Sequence, residues 1–319
     1  MSQTRVIAVE EHYSIERVLA HSRPVRRGGM APDVRTRMLD LGEARLADMD
    51  LAGIDVQVLS LNSGGLQQLE SGVAVSLARD ANDQAAQAVA KHPGRLAAFA
   101  ALPTANISAA VDELDRAVGK LGLKGAMIND AGCFLDHPSY LPILERAASL
   151  GVPLYIHPAH PPAAVVEAYY SGFDPAVNWA LATSAWGSHA EMGLHSLRLI
   201  LAGVFDRLPR LQVIIGHMGE VIPFMLARSD AALPPAVTKL ERPLTEYFQN
   251  NFHITTSGFF TLPPFLNALL VMGADRIMFA IDYPFRANQV GRRFLDGLPL
   301  SLADRHKIAH GNAEKLLRL

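Results

Sequence analysis

The chain has 319 residues, half of them hydrophobic and 19% charged, and its 29 basic and 31 acidic residues leave a formal net charge of −2. This is globular rather than disordered composition, and the charge balance offers no basic face, so neither nucleic acid nor an anionic membrane is expected as a partner. A lone cysteine, Cys133, excludes an intrachain disulfide and a cysteine-built zinc site, and the absence of a signal-like opening or of a run of roughly 18 apolar residues leads to the expectation of a cytoplasmic protein.

Apolar and β-branched runs predict strands at residues 5–9, 55–60, 96–101, 123–128, 153–156, 211–215, 252–256 and 276–281. Helical spacing fills the intervals at 43–52, 73–91, 106–120, 138–150, 193–206, 221–231, 263–272 and 287–296. Gly53, Pro93-Gly94, Gly151, Pro209 and Gly273 punctuate the joints. Several strands lack polar alternation, as strands buried on both faces do. Eight strands alternating with helices predict a (β/α)₈ barrel forming one domain over residues 1–319, with a doubly wound open sheet as the rival fold. Segments 13–41 and 158–190 are too long for ordinary loops and read as insertions after the first and fifth strands.

A barrel carries its chemistry at the C-terminal ends of its strands. Those positions hold Glu10-Glu11-His12, His157, His217 and Asp282, residue types that bind zinc, manganese or iron. Glu10 and His12 are two apart on an extended strand and face the same way, so Glu11 is expected to face away. Each residue alone also fits a packing role; it is their recurrence at one level of a barrel that points to a site. His160 reads as a loop neighbour, and His253 as packing or barrel lining. His92, His195, His306 and His310 carry no functional expectation, and His189 is undecided because it follows the long insertion.

The segments VIAVEEHY, PLYIHPAHP, VIIGHMGE, NFHITTSG and MFAIDYPF resemble the amidohydrolase-related metal-dependent decarboxylases. That group includes the γ-resorcylate, 2,3-dihydroxybenzoate and 5-carboxyvanillate decarboxylases and, more distantly, aminocarboxymuconate semialdehyde decarboxylase. The likeness runs from about Val6 to the KIAHGNAEKLLRL tail. A Glu-Glu-His opening is informative, since hydrolytic members and the semialdehyde decarboxylase usually begin His-x-His. The resemblance implies Glu10, His12, His157 and Asp282 as metal ligands, and His217 with Glu220 as catalytic histidine and supporting carboxylate. It places Arg228 and Asn62 near the substrate. Where relatives often carry an aromatic residue, the Trp186-Gly187-Ser188 segment has Ser188, which implies a roomier or more polar pocket. One divalent ion, zinc or manganese, a small aromatic carboxylic acid as substrate and a homodimer or homotetramer are implied as well. No glycine-rich dinucleotide fingerprint follows the first strand, and no organic cofactor is expected.

The expected reaction is non-oxidative decarboxylation, with Asp282 protonating the ring carbon before CO₂ leaves and His217, oriented by Glu220, assisting. The rivals are a metal-dependent hydrolase in which Asp282 acts as base on a lactone or amide, a hydratase, and a non-catalytic scaffold barrel.

Overall fold

A computed structural model describes residues 4–21, 31–62, 66, 69–129 and 134–319, so Cys133 lies outside the described residues. The strands are β1 (Ile7–Tyr13), β2 (Val56–Leu61), β3 (Leu96–Ala98), β4 (Ala100–Ala101), β5 (Ala126–Asn129), β6 (Leu154–His157), β7 (Val213–Ile215), β8 (Phe252–Thr255) and β9 (Ile277–Met278). They pair in parallel, in the orders β1-β2-β3 and β4-β5-β6-β7-β8-β9. Two junctions join these rows into a ring. At Phe99 the chain changes neighbour: its N–H donates to the Leu59 carbonyl at 2.9 Å, and the N–H of Ala100 donates to Gly125 at 2.9 Å. On the other side Val9 N–H donates to the Phe279 carbonyl at 3.1 Å, and Glu11 bridges Tyr283 in parallel. β3 and β4 are therefore one barrel strand, the one predicted at 96–101, and the ring is a (β/α)₈ barrel.

Side-chain alternation divides the core in two. Ile7, Val9, Val56, Val58, Ala97, Phe99, Met127, Tyr155, Ile214, Met278 and Ala280 fill the barrel, and Ala313 and Leu317 of the last helix, Asn312–Leu317, join them. Their outward neighbours, such as Ala8, Leu59, Ala98, Ile128 and Ile215, pack against the surrounding helices. Both faces are buried, which is why the strands read as continuous apolar runs.

The helices follow local rules. Asn106 caps Ile107–Gly119 by accepting the N–H of Ala109, and the buried Ala110, Glu113, Leu114 and Ala117 recur at the spacing of one helical face. Glu43–Ala52 stops at Gly53, whose φ of 66° is the left-handed conformation glycine adopts freely. The helices also depart from the sequence reading. The helix predicted at 193–206 is Gly187–Leu201 followed by Val204–Arg207, so the end of the insertion is helical. Helix Leu244–Asn251 was not predicted, because its buried Leu244, Tyr247 and Phe248 run straight into the apolar β8. The C-terminal tail is helical and plugs the barrel. Among the described residues, no helix is long and apolar enough to cross a membrane.

Candidate active site

A single irregularity in β1 positions the site. Ala8 pairs with Gln57 and Glu11 with Leu59, so Val9 and Glu10 together oppose Val58. Such a bulge reverses the facing of the strand beyond it. Below the bulge Ile7 and Val9 fill the barrel; above it Glu10 and His12 face the barrel mouth. Glu11 faces the other way. Its Oε1 accepts the N–H of Ile281 at 2.9 Å and its Oε2 the N–H of Tyr283 at 3.1 Å, replacing ladder bonds and shortening β9 relative to the predicted 276–281. Burial pushes the Glu11 carboxyl well up, against those two hydrogen bonds and nearby Arg45. Between the two clamped amides, Asp282 has a φ of 74°. This left-handed conformation costs a non-glycine residue about 1–2 kcal/mol.

Glu10, His12 and His157 converge above the bulge with their ligand atoms within 4.8 Å of one another, and Asp282 adjoins them through His12. Glu10 Oε1 lies 3.3 Å from His157 Nε2, 4.0 Å from His12 Nε2 and 3.9 Å from His217 Nε2. His12 Nε2 lies 3.3 Å from Asp282 Oδ1. Glu10 and His12 are fully buried, yet Glu10 Oε1 and His12 Nε2 have no hydrogen-bond partner among the described residues. Buried polar atoms are rarely left so, and a cation among these donors would satisfy both. Two imidazoles and two carboxylates suit a divalent metal of the zinc or manganese type. Burial acts against ionisation of Glu10, but the positive charge of His217 and the contacts with His157 and His12 hold its carboxyl well below the usual range. Burial lowers His157 and so favours the neutral imidazole a metal requires. Ser60 Oγ, 3.2 Å from His12 Nδ1, fixes the orientation of that ring.

A second cluster borders the first. After β7, His217, Met218, Gly219, Glu220 and Val221 all have positive φ, and this tight turn brings His217 Nδ1 within 2.6 Å of Glu220 Oε1. Glu220 Oε2 lies 2.6 Å from His189 Nδ1, and His189 Nε2 lies 3.1 Å from the Ser184 carbonyl. Both oxygens of Glu220 are thus engaged by imidazoles. Burial lowers His217, but Glu220 and Glu10 outweigh it and raise the imidazole to about 10. Burial would raise Glu220, yet the charge of His217 and the His189 bond keep it low. His189, His217 and Glu220 also form a metal-like grouping. Both Nδ1 atoms and both Glu220 oxygens are already hydrogen-bonded to one another, which leaves the Glu10 group as the candidate metal centre.

Ser188 is buried in the first turn of Gly187–Leu201, adjacent to His189. Asn62 is half-buried at the end of β2; its N–H donates to Tyr13 at 2.8 Å and its Oδ1 is buried without a partner among the described residues. Arg228 is exposed on helix Ile222–Ala232, and among the described residues no hydrogen bond or ion pair ties it to the site. His160 is exposed in the insertion, its ring 5.0 Å from Trp179. His195 and His253 are buried away from the cluster and accept hydrogen bonds from Leu135 N–H and Arg276. Sequence reasoning did not assign His189, and it missed Asn129, whose Nδ2 donates to Leu61 at 3.2 Å and whose Oδ1 is unpartnered. Asn129 ends the strand read as 123–128, one residue past the predicted end; no local pattern marks His189. Phe285, 5.7 Å from the His12 ring, and Phe259, 5.8 Å from His217, supply aromatic surface beside the polar groups.

Comparison with known proteins gives matches over nearly the whole chain. A family model described as amidohydrolase matches residues 12–319. The chain is 37% identical to γ-resorcylate decarboxylase of Rhizobium sp. (strain MTP-10005), with 98% of each chain covered. Among solved structures, 2,6-dihydroxybenzoate decarboxylase complexed with 2,6-dihydroxybenzoate matches with a TM-score of 0.90 and 36% identity, covering 99% of this chain and 100% of that one. Dihydroxybenzoic acid decarboxylase from Polaromonas sp. JS666, with bound manganese and the inhibitor 2-nitroresorcinol, matches with a TM-score of 0.91 and 36% identity over 99% of this chain and 98% of that one.

Proposed function

The chain belongs to the amidohydrolase family, within its group of related decarboxylases, and from that premise we propose that it removes CO₂ from a hydroxylated aromatic carboxylic acid in a divalent-metal-dependent, non-oxidative reaction. The observation that carries this reading is the pair of buried, unpartnered ligand atoms, Glu10 Oε1 and His12 Nε2, facing His157 and Asp282. Glu10, His12, His157 and Asp282 would hold the ion. Manganese or zinc bound there would supply a fixed positive charge for the substrate carboxylate and the adjacent phenolic oxygen.

Direct loss of CO₂ from an arene would leave an aryl anion, so the ring carbon must take a proton first. Asp282 Oδ2 and His217 Nε2 border one space: they lie 3.6 and 3.8 Å from the point where a side chain on Gly258 would begin. Gly258, with a φ of 67°, adds no side chain to that space. Asp282 delivers its proton to the carbon bearing the carboxylate, forming the C–H bond. The C–C bond to the carboxylate then breaks, its electron pair returns to the ring, and aromaticity is restored as CO₂ leaves. Asp282 regains a proton from solvent. His217, held protonated and oriented through Nδ1 by Glu220, presents Nε2–H to a phenolic oxygen. The ring itself accepts the electrons, so no organic cofactor is required.

The test is a panel of hydroxylated benzoates, including 2,6-dihydroxybenzoate, assayed for CO₂ release with added Mn²⁺ or Zn²⁺ alongside aryl lactones and amides. The reading expects CO₂ release, and an Asp282→Asn variant slower by about 10²–10⁴-fold, the usual worth of a positioned general acid. Lactone opening without CO₂ release would establish the hydrolase instead. An Asp282→Asn enzyme as fast as the parent would remove Asp282 from the acid role.

A further inference from the structure

Glu10 has a second oxygen, and its surroundings are as ordered as those of the first are bare. Oε2 accepts hydrogen bonds from the Tyr155 hydroxyl and, at 3.2 Å, from Thr255 Oγ1. Thr255 Oγ1 lies 3.0 Å from Ser257 Oγ, and Ser257 Oγ accepts the backbone N–H of His217 at 3.0 Å. Tyr155, Thr255 and Ser257 are all fully buried. A hydroxyl has one proton to give, and Tyr155 and Thr255 each reach the Glu10 carboxylate. The Tyr155 and Thr255 oxygens also lie 3.1 Å apart. The contacts run from the His217 backbone after β7, through Ser257 and Thr255 at the end of β8, to the Glu10 side chain on β1.

Gly216 completes the enclosure. A Cβ there would stand 2.8 Å from Glu10 Oε2, 3.0 Å from Ser257 Oγ and 3.2 Å from the Tyr155 hydroxyl. No other residue leaves room for the three oxygens to meet. Without the two donors, the carboxylate could turn either oxygen upward; with them, Oε2 is saturated and Oε1 alone is free.

We propose that Tyr155, Thr255 and Ser257 form a hydroxyl floor beneath the metal centre that positions Glu10 to meet a divalent cation through Oε1 and ties that carboxylate to the backbone of His217. These are positioning residues: on this geometry none of them faces substrate. The inference rests on the metal-dependent reading above, and its test separates the two.

Mn²⁺ affinity is measured on full-length protein by competition with a chelator, without any substrate. Metal partners of this kind usually matter by 10–100-fold in affinity. Tyr155→Phe, which keeps the ring that fills the barrel, should weaken Mn²⁺ binding by about 10–100-fold, and Thr255→Val by about 10-fold. Thr255→Ser, which restores the hydroxyl, should bind within about threefold of the parent, whereas a loss caused only by packing would not be repaired. For Tyr155→Phe, saturating Mn²⁺ should restore most of kcat, as expected for a group that acts through Glu10. Tyr155→Phe binding Mn²⁺ as tightly as the parent, or Thr255→Ser as weak as Thr255→Val, would overturn the floor. Should Tyr155→Phe not fold, the Thr255 pair decides the matter alone. Parent protein that binds no Mn²⁺ would instead sink the metal-dependent reading.

Discussion

The two ends of this barrel are made by the same strands and hold histidines of opposite character. At the mouth, His217 is raised to about 10: burial opposes the charge, but Glu220 and Glu10 impose it. On the β8 side, His253 is lowered to about 3 by burial, with Arg276 and Lys315 acting in the same direction. The first donates through Nδ1 to a carboxylate; the second accepts a hydrogen bond from a guanidinium at 3.0 Å. The backbone differs in the same sense. The plugged end, packed from Ile7 and Val56 to Ala313 and Leu317, is apolar and regular. The mouth gathers Asp282, His217, Met218, Glu220 and Val221 in the left-handed region. One end of the barrel is regular and apolar; the other concentrates backbone strain and buried charge, the combination that marks a candidate reactive site.

The sharpest way to break this contrast is at Glu220. Glu220→Gln removes the charge that both His189 and His217 engage, and kcat should fall by about 10²–10³-fold with the fold intact. Single-turnover rates and a circular dichroism spectrum check this, and an unchanged kcat would contradict it. At the plugged end, Leu317→Ala should do the opposite. It should lower unfolding free energy by about 2–3 kcal/mol, the lower part of the range for a buried leucine because the last helix can relax, and leave kcat within about twofold. Urea denaturation beside steady-state kinetics measures both.

The smallest effect is a slope with pH. His253 and His195 are held at about 3 and about 4, both primarily by burial, below the ordinary imidazole value of 6.5. As pH falls, the unfolded chain binds these protons first. The stability they contribute is therefore full above about pH 6.5 and is lost as pH drops toward their folded values, at up to about 1.4 kcal/mol per pH unit for each. His253→Gln keeps an acceptor for Arg276 but cannot titrate. Denaturation of metal-free protein at pH 7 and pH 5 should show a shallower loss for that variant, and parallel losses would exclude the assignment.

The alternation of apolar runs with helical segments made the barrel legible, because strands buried on both faces need no partner information to be recognised. The convergence of Glu10, His12 and His157 was legible for a related reason: barrel topology alone dictates that strand ends converge. What stayed hidden depends on register and on neighbours brought from afar. Nothing local marks the bulge at Val9-Glu10, yet it decides which side chains face inward. Tyr155 read as one apolar residue among four in a strand, since its hydroxyl acquires meaning only beneath Glu10. His189 gained its partner from a turn 31 residues later. Arg228 drew attention through resemblance alone, and within one chain it faces outward.

The central claim is that Glu10, His12, His157 and Asp282 grip one divalent ion, and anomalous diffraction from crystals grown with Mn²⁺ tests it most directly. The expected result is one strong peak per chain within about 2.0–2.3 Å of Glu10 Oε1, His12 Nε2, His157 Nε2 and an Asp282 oxygen. A peak lodged between His189 and Glu220, or none among those four side chains, would contradict it.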